Sequence, residues 1–249
     1  MWETVEDGTD GAGARTQARY LGKAICWRPR GLLAESVVAN YGRAFKDQAV
    51  DRLLSLQGEA IAAVSRELRV PARTLERWRA DALIGRVLDK AKAGDFAGGM
   101  ADLGVVVGLP RAPSLLVTRA LVNRGVMKIR SADVDGAIVD FGAAIGRRRV
   151  PVAELAPALY NRGLARNVYL GDSEGAVKDF TAVIDLRGVL DDLRAASLLN
   201  RAMIRERWGE VREATGDLKA LFAITDVSDD LVCSAEAFCR RAMQELLRD

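Results

Sequence analysis

The side chains that decide what chemistry this chain can do are one missing type and a few recurring ones. No histidine occurs among the 249 residues. That removes the imidazole general base, the Ser-His and Cys-His nucleophile pairs, and most zinc, copper and iron sites. Cys26, Cys233 and Cys239 are odd in number and unclustered, and the last two lie six residues apart. Such a spacing suits neither a disulfide nor a zinc site, so reduced thiols, buried or half-buried, are expected. Asp172, Glu174 and Asp179 are the acids to weigh for acid-base work, but a turn acid and exposed helix faces account for them. No Gly-rich phosphate loop follows a strand, and no strand is evident to carry one. The chain reads as non-catalytic, with no cofactor expected.

The recurring types are asparagine, arginine and aspartate. Asn123-Arg124, Asn161-Arg162 and Asn200-Arg201 stand 38 and 39 residues apart, while Asp102, Asp140, Asp179 and Asp217 follow at 38, 39 and 38. Arginine and carboxylate in the same register favour an internal fork in each unit, Arg124, Arg162 and Arg201 facing Asp140, Asp179 and Asp217. For the asparagines two readings stand level. One amide offers a donor and an acceptor, which serves either a contact within the fold or the backbone of a bound segment.

Those residues sit in a repeated stretch. ALYNRG followed by LGDSEGAVKDFTAVIDL recurs upstream as ALVNRG with ADVDGAIVDFGAAI, and downstream as SLLNRA with WGEVREATGDLKALFAI. A degenerate first copy, AGDFAGGMADLGVVVGL, carries the second half alone. A fixed period of this size predicts stacked pairs of antiparallel helices. Leu121, Leu159 and Leu198 mark the first helix of a pair. Ala137-x3-Phe141, Ala176-x3-Phe180 and Ala214-x3-Leu218 mark the second, the small residue allowing close approach and the large one filling the gap.

With Gly125, Gly163, Gly171-Asp172, Ala176 and Phe180 in place, the region from about residue 82 to 224 resembles the tetratricopeptide repeat. It departs from that pattern in several ways, among them one extra residue between Gly163 and Gly171 and a terminal Pro that is absent or displaced. Leu replaces the early Trp, Lys128, Arg166 and Arg205 replace the Tyr of the first helix, and the period exceeds the usual ~34 residues, so longer helices or connections are expected. The resemblance implies that the first helices line a concave face. On it, Asn123, Asn161 and Asn200 would form a ladder for a protein segment, helped by Arg119, Arg130, Tyr160, Arg166 and Met203.

Upstream, YGRAFKDQAVDRLLSLQGEAIAAVSRELRVPARTLERWRA resembles the helix-turn-helix at the start of bacterial transposase-type proteins. The matching positions are Phe45, Lys46, Ala49, Val50, Ile61, Val64, Leu68, Val70, Thr74, Leu75 and Trp78. The turn Leu68-Arg69-Val70-Pro71 has Arg69 where a left-handed Gly is usual, and Pro71 suits a first helical position. The resemblance implies a recognition helix from Pro71 to about Ala82. Arg73, Glu76, Arg77 and Arg79 fall off its Leu75/Trp78 face, with Arg66 and Arg69 near enough to add contacts to a DNA backbone. The alternative is a solvated basic face.

The charge map agrees with that placement. Residues 1–12 hold four acids and no base, residues 13–92 hold 16 bases against 8 acids, and residues 93–249 hold 21 against 22. An anionic partner belongs with the middle segment.

The expected organisation is a mobile tail over 1–18, a basic helix-turn-helix domain over 19–81, four repeats over 82–227 and a capping helix over 228–249. Within 19–42, the break Cys26-Trp27-Arg28-Pro29-Arg30 precedes a short helix on Leu32, Leu33, Val37 and Val38. No breaker parts the recognition helix from Leu83–Leu88, so it runs on into the first repeat. Ser114 is expected to cap the next helix and Pro157 to open the third unit. Arg147-Arg148-Arg149 are expected to offset a helix C-terminus, the alternative being a dedicated ligand site, and Ser228-Asp229-Asp230 start a last helix striped by Leu231, Ala235, Phe238, Ala242 and Leu246.

With no apolar run near ~20 residues and no secretory signal at residues 1–20, a cytoplasmic location is expected. The whole predicts an all-α, non-catalytic scaffold that holds a protein segment in its groove and contacts DNA through its N-terminal module. The alternative is a DNA-binding regulator or transposase-like protein whose repeats serve homodimerisation or recruitment.

Overall fold

Apolar residues spaced by three and four leave one oily flank on each segment, and the described residues answer with helices. A computed structural model describes residues 41–55 and 61–246. The expectations for residues 1–40, including the tail, the Arg-Pro-Arg break and the short helix, lie outside them. In chain order the helices are α1 Arg43–Ser55, α2 Ile61–Leu68, α3 Ala72–Lys92, α4 Phe96–Gly108, α5 Ser114–Arg130, α6 Val134–Ile145, α7 Val152–Tyr169, α8 Ser173–Asp185, α9 Asp191–Arg207, α10 Val211–Phe222 and α11 Asp229–Leu246. No strand occurs among the described residues. No described helix is long and apolar enough to cross a membrane.

The helices pack in consecutive pairs: α3 with α4, α5 with α6, α7 with α8, and α9 with α10. Each second helix also leans on the first helix of the next pair. The first helices α3, α5, α7 and α9 touch one another in series, so they form the inner layer of a solenoid-like stack. No pair can hide its apolar flank alone, and a neighbour on either side completes the burial. At the far end α11 lays Leu231, Ala235 and Phe238 against α9 and its neighbours. At the near end α1 and α2 pack on the first half of α3 around Leu53, Val64, Val70, Leu75 and Trp78. Tyr41 meets the Trp78 ring edge-on at 5.2 Å.

Local chemistry fixes the turns. Gly94, Ala132, Gly171 and Gly209 carry φ of 79°, 62°, 65° and 76°. Each precedes the residue that opens the second helix of its pair. In the first three units that residue is Asp95, Asp133 or Asp172, whose carboxylate accepts the backbone N–H of Gly98, Gly136 or Gly175 at 2.8, 3.0 and 2.8 Å. This is an N-cap that satisfies an amide with no helical partner. Glu210 in the fourth unit makes no such bond.

The first unit is a full hairpin because α3 runs on from the N-terminal unit, as expected, and pairs with α4. Several other expectations need correction. Residue 113 takes the capping position of α5 and Ser114 is its first helical residue, with no side-chain cap. The third unit opens after Pro151, which leaves Pro157 inside α7 and buried. Proline stands at both helix entrances, Pro113 one residue before Ser114 and Pro151 six before Pro157. Arg69 does adopt the left-handed backbone of its turn, with φ 53°. Ser65 Oγ donates to the Val70 carbonyl across that turn at 2.6 Å. Cys239 is half-buried and Cys233 is exposed rather than buried; both are free thiols. Burial raises the Cys239 thiol above its ordinary range.

Candidate interaction surfaces

The most regular polar feature is a clamp in each unit. Arg86, Arg124, Arg162 and Arg201 each send Nε and Nη2 to both oxygens of Asp102, Asp140, Asp179 and Asp217, the Nε bonds being 2.8, 2.8, 2.9 and 2.9 Å. One turn along the same helix a second cation meets the same carboxylate: Lys90 at 2.9, Lys128 at 3.1, Arg166 at 2.9 and Arg205 at 2.8 Å. The four aspartates are 5, 2, 3 and 4 % exposed. A carboxylate with about four acceptor sites can satisfy both cations, which repays the loss of its hydration.

Lys128, Arg166 and Arg205 are thereby each committed to a buried carboxylate within the fold. That takes Arg166 out of the proposed peptide ladder. Arg166 spans the gap to α8, where it touches Asp179, Asp172 and the Gly175 carbonyl. Arg86 was legible as the residue 38 before Arg124, but its helix lacks the Asn-Arg-Gly step that marks the other units, reading Gly85-Arg86-Val87 there.

One clamp gives a pH prediction. Burial pushes the Asp102 carboxyl up, but hydrogen bonds and charge from Arg86 and Lys90 outweigh it and leave a net lowered value. A depressed folded pKa contributes stability above the unfolded carboxylate range, and that contribution is lost as pH falls through the folded value. The melting-temperature gap between wild type and Asp102→Asn should be widest near neutrality and close below about pH 4.

Along the inner layer most of the expected ladder is occupied by the fold. Arg119 is 8 % exposed and pairs with the buried Glu154 on α7, with Nε donating to Oε1 at 2.7 Å. Asn200 Nδ2 donates to the Tyr160 hydroxyl at 3.3 Å and to the Ala196 carbonyl at 2.8 Å. Tyr160 rests on the Phe180 ring, and Met203 lies in the core against α11. Arg207 Nη2 and Ser173 Oγ both donate to Asn167 Oδ1. The exceptions are Asn123, whose Oδ1 is buried without a partner, Asn161, whose Nδ2 is likewise unmatched, and Arg130, which is exposed. Sequence reasoning missed Glu154 and Asn167, since neither recurs at the repeat period.

The two asparagines should therefore respond differently to truncation. Asn200→Ala removes two internal bonds and should cost about 1–2 kcal/mol, whereas Asn161→Ala removes a buried unmatched donor and should leave urea stability unchanged or raised.

The N-terminal unit presents the other surface. Arg52 grips Glu67 with both nitrogens at 2.6 and 2.7 Å and ties α1 to α2. Arg66, Arg69 and Arg73 are exposed around the turn and the first residues of α3. Arg77 is half-buried beside Asp81, whose carboxyl is raised by desolvation against the pull of Lys46, Arg77 and Arg119. Arg79 is half-buried, its Nε unmatched and its guanidinium pKa lowered by desolvation, so it faces protein rather than open solvent. Glu76, expected beside these arginines, is 2 % exposed and accepts the backbone N–H of Arg111 at 2.6 Å. That bond pins α3 to the loop between the first and second hairpins. The open part of the expected DNA set is thus Arg66, Arg69 and Arg73, with Arg77 at its margin.

No family model matches this chain, and no curated protein matches it.

Proposed function

We propose that the protein is a non-catalytic adaptor that contacts DNA through the arginine face of its N-terminal three-helix unit, the hairpin stack forming the rigid body behind it. The observation that carries this reading is a contrast in how cations are used. In each hairpin of the stack an arginine and a second cation are taken up by one buried carboxylate, whereas Arg66, Arg69 and Arg73 stand exposed around one turn and form no ion pair among the described residues. Guanidinium groups fork onto phosphate oxygens and guanine edges, and the continuous helix α3 would hold them at a fixed angle to the stack. Arg69→Asn with Arg73→Gln keeps a residue type that tolerates left-handed backbone at 69. The double variant should weaken binding of a labelled duplex of about 20 base pairs at least tenfold at low salt. Equal binding by the variant and wild type would refute the assignment.

A second surface is supported by the unmatched amides of Asn123 and Asn161. Asn123 Oδ1 is an acceptor and Asn161 Nδ2 a donor on neighbouring first helices; both atoms are buried, so an extended protein segment would take them up only as the two side chains turn outward. Exposed Arg130, at the end of α5, would favour an acidic segment. In this reading the stack is the scaffold for a protein partner and the N-terminal unit brings that partner to DNA. A peptide-bound structure or amide exchange map that leaves Asn123 and Asn161 untouched would remove it.

A further inference from the structure

The connections between hairpins share one edge of the stack, and that edge carries arginines in register. Arg73, Arg111, Arg149 and Arg187 fall at intervals of 38 residues. All are exposed, as is Arg148, and none forms an ion pair among the described residues. Arg111 lies three residues before the first residue of α5, Arg149 three before that of α7 and Arg187 four before that of α9, while Arg73 is the second residue of α3. The bond from the Arg111 amide to Glu76 places the first of these loops against the second turn of α3, so Arg73 and Arg111 belong to one face. Arg149 holds a left-handed backbone, φ 58°, that a non-glycine residue takes at a cost.

None of these side chains serves the fold in the way the buried clamps do. Arg111, Arg148, Arg149 and Arg187 sit in loops beyond the last helical turn, and Arg73 sits at a helix N-terminus, so none of them is placed to offset a negative helix pole. Their period instead matches the stack, so each hairpin contributes one rung. First helices of adjacent pairs lie about 10 Å apart, which makes the row about 30 Å long. At about 3.4 Å per nucleotide that is the span of about nine base pairs.

We propose that this edge binds the sugar-phosphate backbone of a nucleic acid, continuing the track that begins at Arg66, Arg69 and Arg73. The inference rests on the DNA reading above and extends it: the repeats themselves hold phosphates, with the strand running from the N-terminal unit over the loops of the first three hairpins. The track ends where the edge turns acidic, with Asp185, Asp191 and Asp192 flanking Arg187 and Asp226 and Asp229 beyond it. Arg111, Arg148 and Arg149 are therefore its strongest part. Forked guanidinium groups at even spacing suit a phosphate chain better than an acidic protein segment, whose carboxylates keep no such period.

The test uses the full chain and fluorescence anisotropy with a mixed-sequence duplex of about 20 base pairs over a salt series. Arg111→Gln, Arg148→Gln and Arg149→Asn together should weaken binding about tenfold or more. They should also flatten the log–log salt slope by about two to three, at an unchanged melting temperature. Unchanged affinity and slope in this triple variant, with loss in the Arg69/Arg73 variant, overturns the edge and leaves the N-terminal reading standing. Loss in the triple variant alone supports the edge and removes the N-terminal reading. No wild-type binding at about 50 mM salt overturns both. Polyglutamate competing as well as duplex DNA would assign the edge to an acidic protein and overturn the nucleic-acid proposal.

Discussion

Asp179→Asn is expected to destabilise the protein by about 3 kcal/mol in urea unfolding, although it changes one atom. The carboxylate is buried and accepts from Arg162 at 2.6 Å and from Arg166 at 2.9 Å. Removing its charge leaves two guanidinium groups packed between α7 and α8 with one neutral amide to share. The arginines keep about a fifth to a quarter of their side-chain surface exposed, 19 and 25 %, which places the loss at the lower end for a broken buried pair. Glu67→Gln is the control. Arg52 holds Glu67 at a similar 2.6 Å, but both side chains are more than a third exposed, 39 and 57 %. Solvent screening there should make the change far smaller. Equal effects at the two sites would show that burial does not set the value of the clamp.

Phe141→Ala should cost more, about 4 kcal/mol by the same measurement. Phe141 is 1 % exposed and fills the space above Gly125, with Val122, Val126 and Ala137 in the same cluster. A Cβ placed on Gly125 would lie 2.6 Å from Phe141 Cε1. In an exposed helix Gly→Ala gains about 1 kcal/mol, but here the ring cannot retreat from a filled core, so overpacking should win and Gly125→Ala should cost about 1–3 kcal/mol. Combining the two changes removes the clash and part of the cavity. The double variant should be more stable than the sum of the singles implies, by more than about 0.5 kcal/mol. Strict additivity would mean that ring and glycine are not in contact.

How far the sequence exposed this arrangement depends on whether a feature repeats. The hairpins and the Arg-Asp forks recur at 38 or 39 residues, and a recurring pair of opposite charges is already a statement about distance. The left-handed turn at Arg69 was legible because its neighbours fix where the chain must reverse. What stayed hidden joins one unit to the next without repeating. Arg119 finds Glu154 and Arg111 finds Glu76 across 35 residues, and neither pair has a copy elsewhere in the stack. The partner of Arg166 was hidden for another reason. A cation where an aromatic is usual looks like a ligand contact until the second helix brings an aspartate beneath it. That substitution moved Arg166 into the fold, other internal contacts did the same for Arg119, Tyr160, Asn200 and Met203, and the open arginines are left as the less committed surface.

Among possible measurements, the salt dependence of duplex binding by the intact chain bears most directly on that division between spent and unspent cations. If exposed arginines from the N-terminal unit and the hairpin loops meet phosphates together, the log of the binding constant should fall with log salt at a slope steeper than about −3 between 50 and 200 mM. A slope near zero, or no binding at the lowest salt, would contradict it.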